Sequence, residues 1–308
     1  MKTIELQNDT PKKVFSTLGI GLFAMTIIVN IVQFALAKLI HQFIPDFVDS
    51  SWYTYILVIV SFYLIGAPCF YLIVKKLPKA EIKEKKMLHP LHFLGFLVAS
   101  YAAMYIFNII GVAINYVLGL LTGNMNLNPL NSVIGGLDLF PTIVVACICA
   151  PIVEEIVFRK ILLDRVRAYG DMTAILVSGL CFGLYHGNIA QFLYATALGS
   201  IFAYVVIKTG NIKNSILMHI CVNLLGTAIL PQIVKMGTIA TMLAGLFVMA
   251  VVLTGIVVMI VAFAMKKITF EKGEIVLEHP VKSVWENLGM ILFILISLAS
   301  FVLVVVGM

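Results

Sequence analysis

Nine long apolar stretches divide this chain and confine it to folds in which each membrane segment satisfies its own backbone hydrogen bonds. They read as residues 14–40, 52–74, 90–121, 138–163, 172–187, 189–207, 214–233, 238–265 and 287–308. About 20 apolar residues cross a bilayer as a helix. Of the 308 residues, 61% are hydrophobic and 12% charged, whereas a soluble domain has about half and about a quarter. The expected fold class is all-α: a polytopic membrane bundle of about nine transmembrane helices. The fifth and sixth stretches are short and meet at His186-Gly187-Asn188. Their join is expected at membrane depth, where non-helical backbone has to be buried by other protein.

The basic residues set the orientation. With the N-terminus placed inside, the inner segments hold Lys2, Lys12 and Lys13, then Lys75 to Lys86, then Arg159, Lys160, Arg165 and Arg167, then Lys208 and Lys213, and finally Lys266, Lys267, Lys272 and Lys282. That is 19 of the 21 basic residues; only Lys38 and Lys235 fall outside. Such asymmetry marks the cytoplasmic side, so the N-terminus is expected in the cytoplasm. The net charge of +6 thus reports topology and contact with anionic lipid rather than nucleic acid, and the partners expected are membrane lipid and a membrane-associated peptide or protein.

Three regions follow: an N-terminal three-helix membrane region, 1–137; central helices, 138–233; and C-terminal membrane helices, 234–308. Ala35-Leu36-Ala37 has the small-x-small look of a signal cleavage site, but the apolar stretch before it is longer than a signal-peptide core, and a retained first span is expected. The five cysteines lie in apolar stretches, odd in number and without a C-x-x-C pair, as small buried residues rather than a disulfide frame or a thiolate zinc site. No organelle signal is visible, and the style of sequence reads as a multi-pass protein of a bacterial cell membrane.

Ionisable residues are costly in a bilayer and mark function when they occur there. Glu154, Glu155 and Arg159 lie in the fourth stretch, in Ala150-Pro151-Ile152-Val153-Glu154-Glu155-Ile156-Val157-Phe158-Arg159. Adjacent residues stand about 100° apart around a helix, so the two carboxylates face differently. Glu155 and Arg159 are spaced i, i+4 and can pair, which leaves Glu154 free to act as a base. His186 lies in the fifth stretch, and a turn at Gly170-Asp171 folds it back to the depth of Glu154. His219 and Asn223, again i, i+4, share a face of the seventh, with His219 about two turns in from Lys213. Carboxylate, imidazole and carboxamide are thus expected in one inner layer. His41, His89, His92 and His279 fall in loops or at interfaces, and Asp138 at the external end of the fourth stretch, where structural roles are expected.

In order along the chain, Glu154-Glu155-x-x-x-Arg159, Phe182-x-x-x-His186 and His219-x-x-x-Asn223 resemble the motifs of the CAAX protease and bacteriocin-processing (CPBP, or Abi) family, which includes the type II CAAX prenyl endopeptidases. The resemblance covers about residues 138–231 and extends to all six polar positions. It implies an intramembrane endopeptidase in which Glu154 with His186 activates water, Glu155 and Arg159 support them, and His219 and Asn223 hold the oxyanion. The chemistry is consistent with that. A carboxylate taken out of water is a stronger base, and a tetrahedral intermediate needs donors aimed at it in advance.

Two readings stay open. Two histidines and a glutamate also make a hydrolytic zinc set, which here would be Glu154, His186 and His219. The H-E-x-x-H arrangement is absent, and no cofactor is favoured. The same fold could also serve without catalysis, as a membrane scaffold or a bacteriocin-immunity or maturation factor. A carrier would favour an inverted repeat, and none is visible. There is no G-x-S-x-G, and Cys181 and Cys221 are spaced so as to diverge from the neighbouring histidines on their helices.

Overall fold

The computed structural model describes residues 10–82, 84–125 and 138–307. Lys2, Lys83 and the expected boundary at residue 137 lie outside them. Ten helices follow one another, and no strand occurs among the described residues. They are α1 (Pro11–Phe43), α2 (Ser51–Val74), α3 (Pro90–Thr122), α4 (Leu139–Tyr169), α5 (Asp171–Tyr185), α6 (Ile189–Thr209), α7 (Ile212–Lys235), α8 (Thr238–Ala264), the short α9 (Pro280–Val284) and α10 (Leu288–Val306). Eight are long and apolar enough to cross a membrane; the chain is a multi-pass membrane protein.

The fifth expected span, 172–187, is matched by a helix that is too short to count among the spans. α5 has 15 residues and rises about 22 Å at 1.5 Å per residue, short of the roughly 30 Å of hydrocarbon. α5 and α6 are antiparallel partners and start and finish side by side, with Lys208 Nζ 2.7 Å from Asp171 Oδ2. Because the pair enters and leaves on one side, the orientation of the later spans is the same whether or not α5 crosses fully. Lipid offers no hydrophobic drive for helix association, so close backbone packing has to supply it. Gly179 and Gly183 on α5 leave room for Thr196 and Ser200 of α6, and a Cβ at either glycine would collide with that helix.

α6 lies between α5 and α3, α8 covers the far side of α3, and α1 packs between α2 and α10. α4 runs against α7 and α2. Wide π turns interrupt three of these helices, at Ile59–Gly66, Thr142–Cys149, Ile156–Leu162 and Leu224–Ile229. Such turns misalign the hydrogen-bond ladder and recur at functional sites.

Two loops close the end of the bundle that the basic residues assign to the cytoplasm. The loop after α2 is tied down by Ala80 N to Asp164 O (2.8 Å) and Lys86 N to Thr209 O (2.8 Å). Asn214 brackets the same loop, accepting from Leu88 N and donating to Lys86 O. The loop after α8 is tied by a reciprocal pair, Asp171 N to Glu271 O (3.1 Å) and Glu271 N to Asp171 Oδ2 (2.9 Å). The α4–α5 turn below it is the expected one: Gly170 has φ 97°, a conformation that only glycine adopts freely.

Candidate active site

The site is assembled from α4, α5 and α7, with α6 behind it. On α4, Glu155 and Arg159 form the expected i, i+4 pair, Nη1 to Oε1 at 3.2 Å, and neither side chain is reached by solvent. A buried charge pair survives only when geometry repays its desolvation. Here the guanidinium carbon also lies 4.3 Å from the centre of the Phe182 ring and 5.7 Å from that of Phe202. Cation–π contact of this kind gains strength when desolvated.

Glu154 is the other case. Its side chain keeps 19% of its surface while that of Glu155 has none. One residue along the helix separates a carboxylate locked in an ion pair from one that is partly exposed. Glu154 is within electrostatic reach of His186 on α5 and of Tyr63, Tyr185 and Tyr194.

The shared face of His219 and Asn223 packs on α4. His219 Nδ1 is 3.1 Å from Glu155 Oε1, and its Nε2 is 3.7 Å from Glu154 Oε2. Since the Glu155 carboxylate accepts, Nδ1 carries the proton and Nε2 faces Glu154 with its lone pair or a second proton. The same logic fixes His186. Its Nδ1 lies 2.7 Å from the Phe182 carbonyl, which can only accept, so its Nε2 is left basic.

Asn223 donates Nδ2–H to the Ala146 carbonyl at 3.0 Å, and that acceptor is free for a covalent reason. In the π turn Thr142–Cys149 the Ala150 amide reaches back five residues to Val145 O. The residue that would serve Ala146 O in the same register is Pro151, which has no N–H. The proline of the A-P-I-V-E-E run therefore leaves an acceptor, and α7 supplies its donor. The second Nδ2 hydrogen of Asn223 is not needed for this bond.

The Phe182-x-x-x-His186 spacing acquires a physical meaning. The Phe182 ring centre is 4.8 Å from that of His186 and 5.8 Å from that of His219, nearly perpendicular to both, while its face carries Arg159. One ring spaces two imidazoles and a guanidinium. Phe202 on α6, 5.4 Å from His219, is a site residue that sequence reading misses: it is one phenylalanine among 20, and nothing in its neighbourhood in the sequence distinguishes it.

Among the described residues no three His, Cys, Asp or Glu side chains gather closely enough to hold a metal ion. Glu155 holds the Nδ1 of His219 and a backbone carbonyl that of His186, so each imidazole presents Nε2 to the site.

Comparisons with known proteins fall on these helices. A family model described as type II CAAX prenyl endopeptidase Rce1-like matches residues 136–225. A Bacillus subtilis (strain 168) protein carrying the name "Putative membrane peptidase YdiL" is 30% identical over 154 residues, which cover 49% of this chain and 62% of that protein. No solved structure matches. Through the helices that carry Glu154, His186 and His219, this multi-pass membrane protein is similar to the type II CAAX prenyl endopeptidases.

Proposed function

We propose that the chain is an intramembrane endopeptidase that hydrolyses a peptide bond in a membrane-associated or lipidated peptide. The observation that carries the reading is the division between the two adjacent glutamates: Glu155 is sealed with Arg159, while Glu154 stays open beside His219. A scaffold has no use for an accessible carboxylate in a membrane helix, where it costs free energy.

Water held by Glu154 gives a proton to the carboxylate as its oxygen attacks the scissile carbonyl carbon, and the C=O pair moves onto oxygen. The basic Nε2 of His186 is the second acceptor at this layer and can share that proton. When His219 takes a proton at Nε2 it becomes a donor to the oxyanion. Its Nδ1–H···Glu155 contact stabilises that imidazolium as a carboxylate does in other hydrolases. The remaining Nδ2 hydrogen of Asn223 is the second donor. Collapse of the intermediate breaks the C–N bond, and the stored proton leaves on the new amine. No step is routed through a metal.

The test is cleavage of a quenched fluorescent peptide library, with prenylated and unprenylated members, by detergent-purified protein. Turnover by wild type, lost in Glu154→Ala and His186→Ala proteins that keep their thermal stability, supports the reading. A Glu154→Ala protein that still complements a deletion strain in full would replace it with the scaffold reading.

A further inference from the structure

A second site lies at the cytoplasmic end of the same helices. A cavity of about 400 Å³ opens between α4, the α6–α7 turn and the loop after α2, and Lys85, Lys160, Asp164 and Lys213 line it. Lys160 is paired with Asp164, Nζ to Oδ2 at 2.7 Å. Lys85 and Lys213 have no ion-pair or hydrogen-bond partner for their ammonium groups among the described residues. The cavity therefore carries three cations against one carboxylate.

The walls are fixed rather than draped. Asp164 receives the backbone of Ala80, and Thr209 receives that of Lys86, so the loop bearing Lys85 is pinned on both sides of it. Asp164 itself is 3% exposed, and its Oδ1 has no hydrogen-bond partner among the described residues. A buried carboxylate oxygen left unpaired is costly, and Asp164 lines the cavity. The remaining lining includes Ile82, Val206 and Ile212, an apolar flank for acyl or glycerol carbon.

We propose that this cavity binds the headgroup of an anionic, hydroxylated glycerophospholipid of the cytoplasmic leaflet. Lys85 and Lys213 take the phosphate, and the headgroup hydroxyl donates to Asp164 Oδ1. The setting favours lipid. The cavity sits where α4, α6 and α7 end at the cytoplasmic boundary, and basic pockets between helices at that level suit phosphate headgroups.

The test uses the purified full-length protein and native mass spectrometry, titrating phosphatidylglycerol, phosphatidylethanol (same charge, no headgroup hydroxyl) and phosphatidylcholine. Wild type should retain phosphatidylglycerol at least about tenfold better than phosphatidylcholine and several-fold better than phosphatidylethanol, and the double variant Lys85→Gln/Lys213→Gln should lose about tenfold or more. A thermal melt in detergent establishes that the double variant is folded. Equal retention by wild type and the folded double variant overturns the proposal. Equal affinity for phosphatidylglycerol and phosphatidylethanol overturns the role of Asp164. Competition by soluble glycerol phosphate at equal concentration overturns the lipid source. Displacement by a peptide with a free C-terminal carboxylate, but not by its amide, assigns the cavity to a peptide terminus and overturns the proposal as well.

Discussion

His219 and Glu155 come from helices α7 and α4, separated by 64 positions in sequence, and meet at 3.1 Å through Nδ1 and Oε1. The contact joins the sealed ion pair to the partly exposed carboxylate, because the other ring nitrogen of the imidazole lies 3.7 Å from Glu154 Oε2. The two glutamates are therefore expected to fail in different ways.

Glu154→Gln should lower peptide cleavage by about 10²–10⁴, the range of general-base contributions, with a melting temperature close to wild type. Glu155→Gln should lose activity and stability together, by about 3–5 kcal/mol, since it strands a buried guanidinium. Parallel thermal melts and cleavage assays in one detergent separate the two, and equal destabilisation by both substitutions would sink the distinction.

The pair itself can be removed. Glu155→Gln combined with Arg159→Met should be more stable than Glu155→Gln alone, because replacing both members of a buried pair avoids the unpaired charge. Activity should not return, since the imidazole of His219 would have lost its carboxylate. A double variant no more stable than the single one would contradict this.

Asn223→Ala should reduce turnover by about 10²–10³, the usual cost of one donor to a developing oxyanion, with little change in KM. Pro151→Ala should reproduce part of that loss without touching Asn223. The new N–H lets α4 recover an ordinary helical register and compete for the carbonyl that Asn223 now holds. Amide hydrogen exchange across residues 142–151 would report the change in register, and an unchanged exchange pattern with unchanged activity would rule it out.

Turnover should survive exhaustive chelation and gain nothing from added zinc, because no three metal-ligating side chains converge among the described residues. Loss of activity on chelation, restored by zinc alone, would require the histidines to move into a geometry they do not have here.

The six polar site positions were legible because charge and imidazole are rare in apolar stretches and stand out one by one. The Glu155–Arg159 pair followed from helical spacing alone. The partner of His219 did not: spacing along α7 shows which face it shares with Asn223, but which helix that face meets is a tertiary fact. The Ala146 acceptor was half visible. Pro151 can be read in the sequence, yet its effect depends on a π register that apolar residues do not announce. Phe202 was invisible, since packing against the site uses the same residue type as packing anywhere else in the bundle. The fifth stretch is short already in the sequence and counts as a span there for its apolar character; its helix stops at Tyr185, just before His186-Gly187-Asn188.

The reciprocal backbone and side-chain bonds between Asp171 and Glu271, with Lys208 bridging both carboxylates, act as a clasp between the start of the α5–α6 hairpin and the loop that leads to the last helices. A chain severed near residue 233 would leave Asp171 and Lys208 with only each other, and the α5–α6 hairpin would be held at its lipid-buried end but loose at its wet one. The depth at which His186 sits is thus set partly by a loop 100 positions beyond Asp171, and changes in that loop should be felt as changes in the alignment of His186.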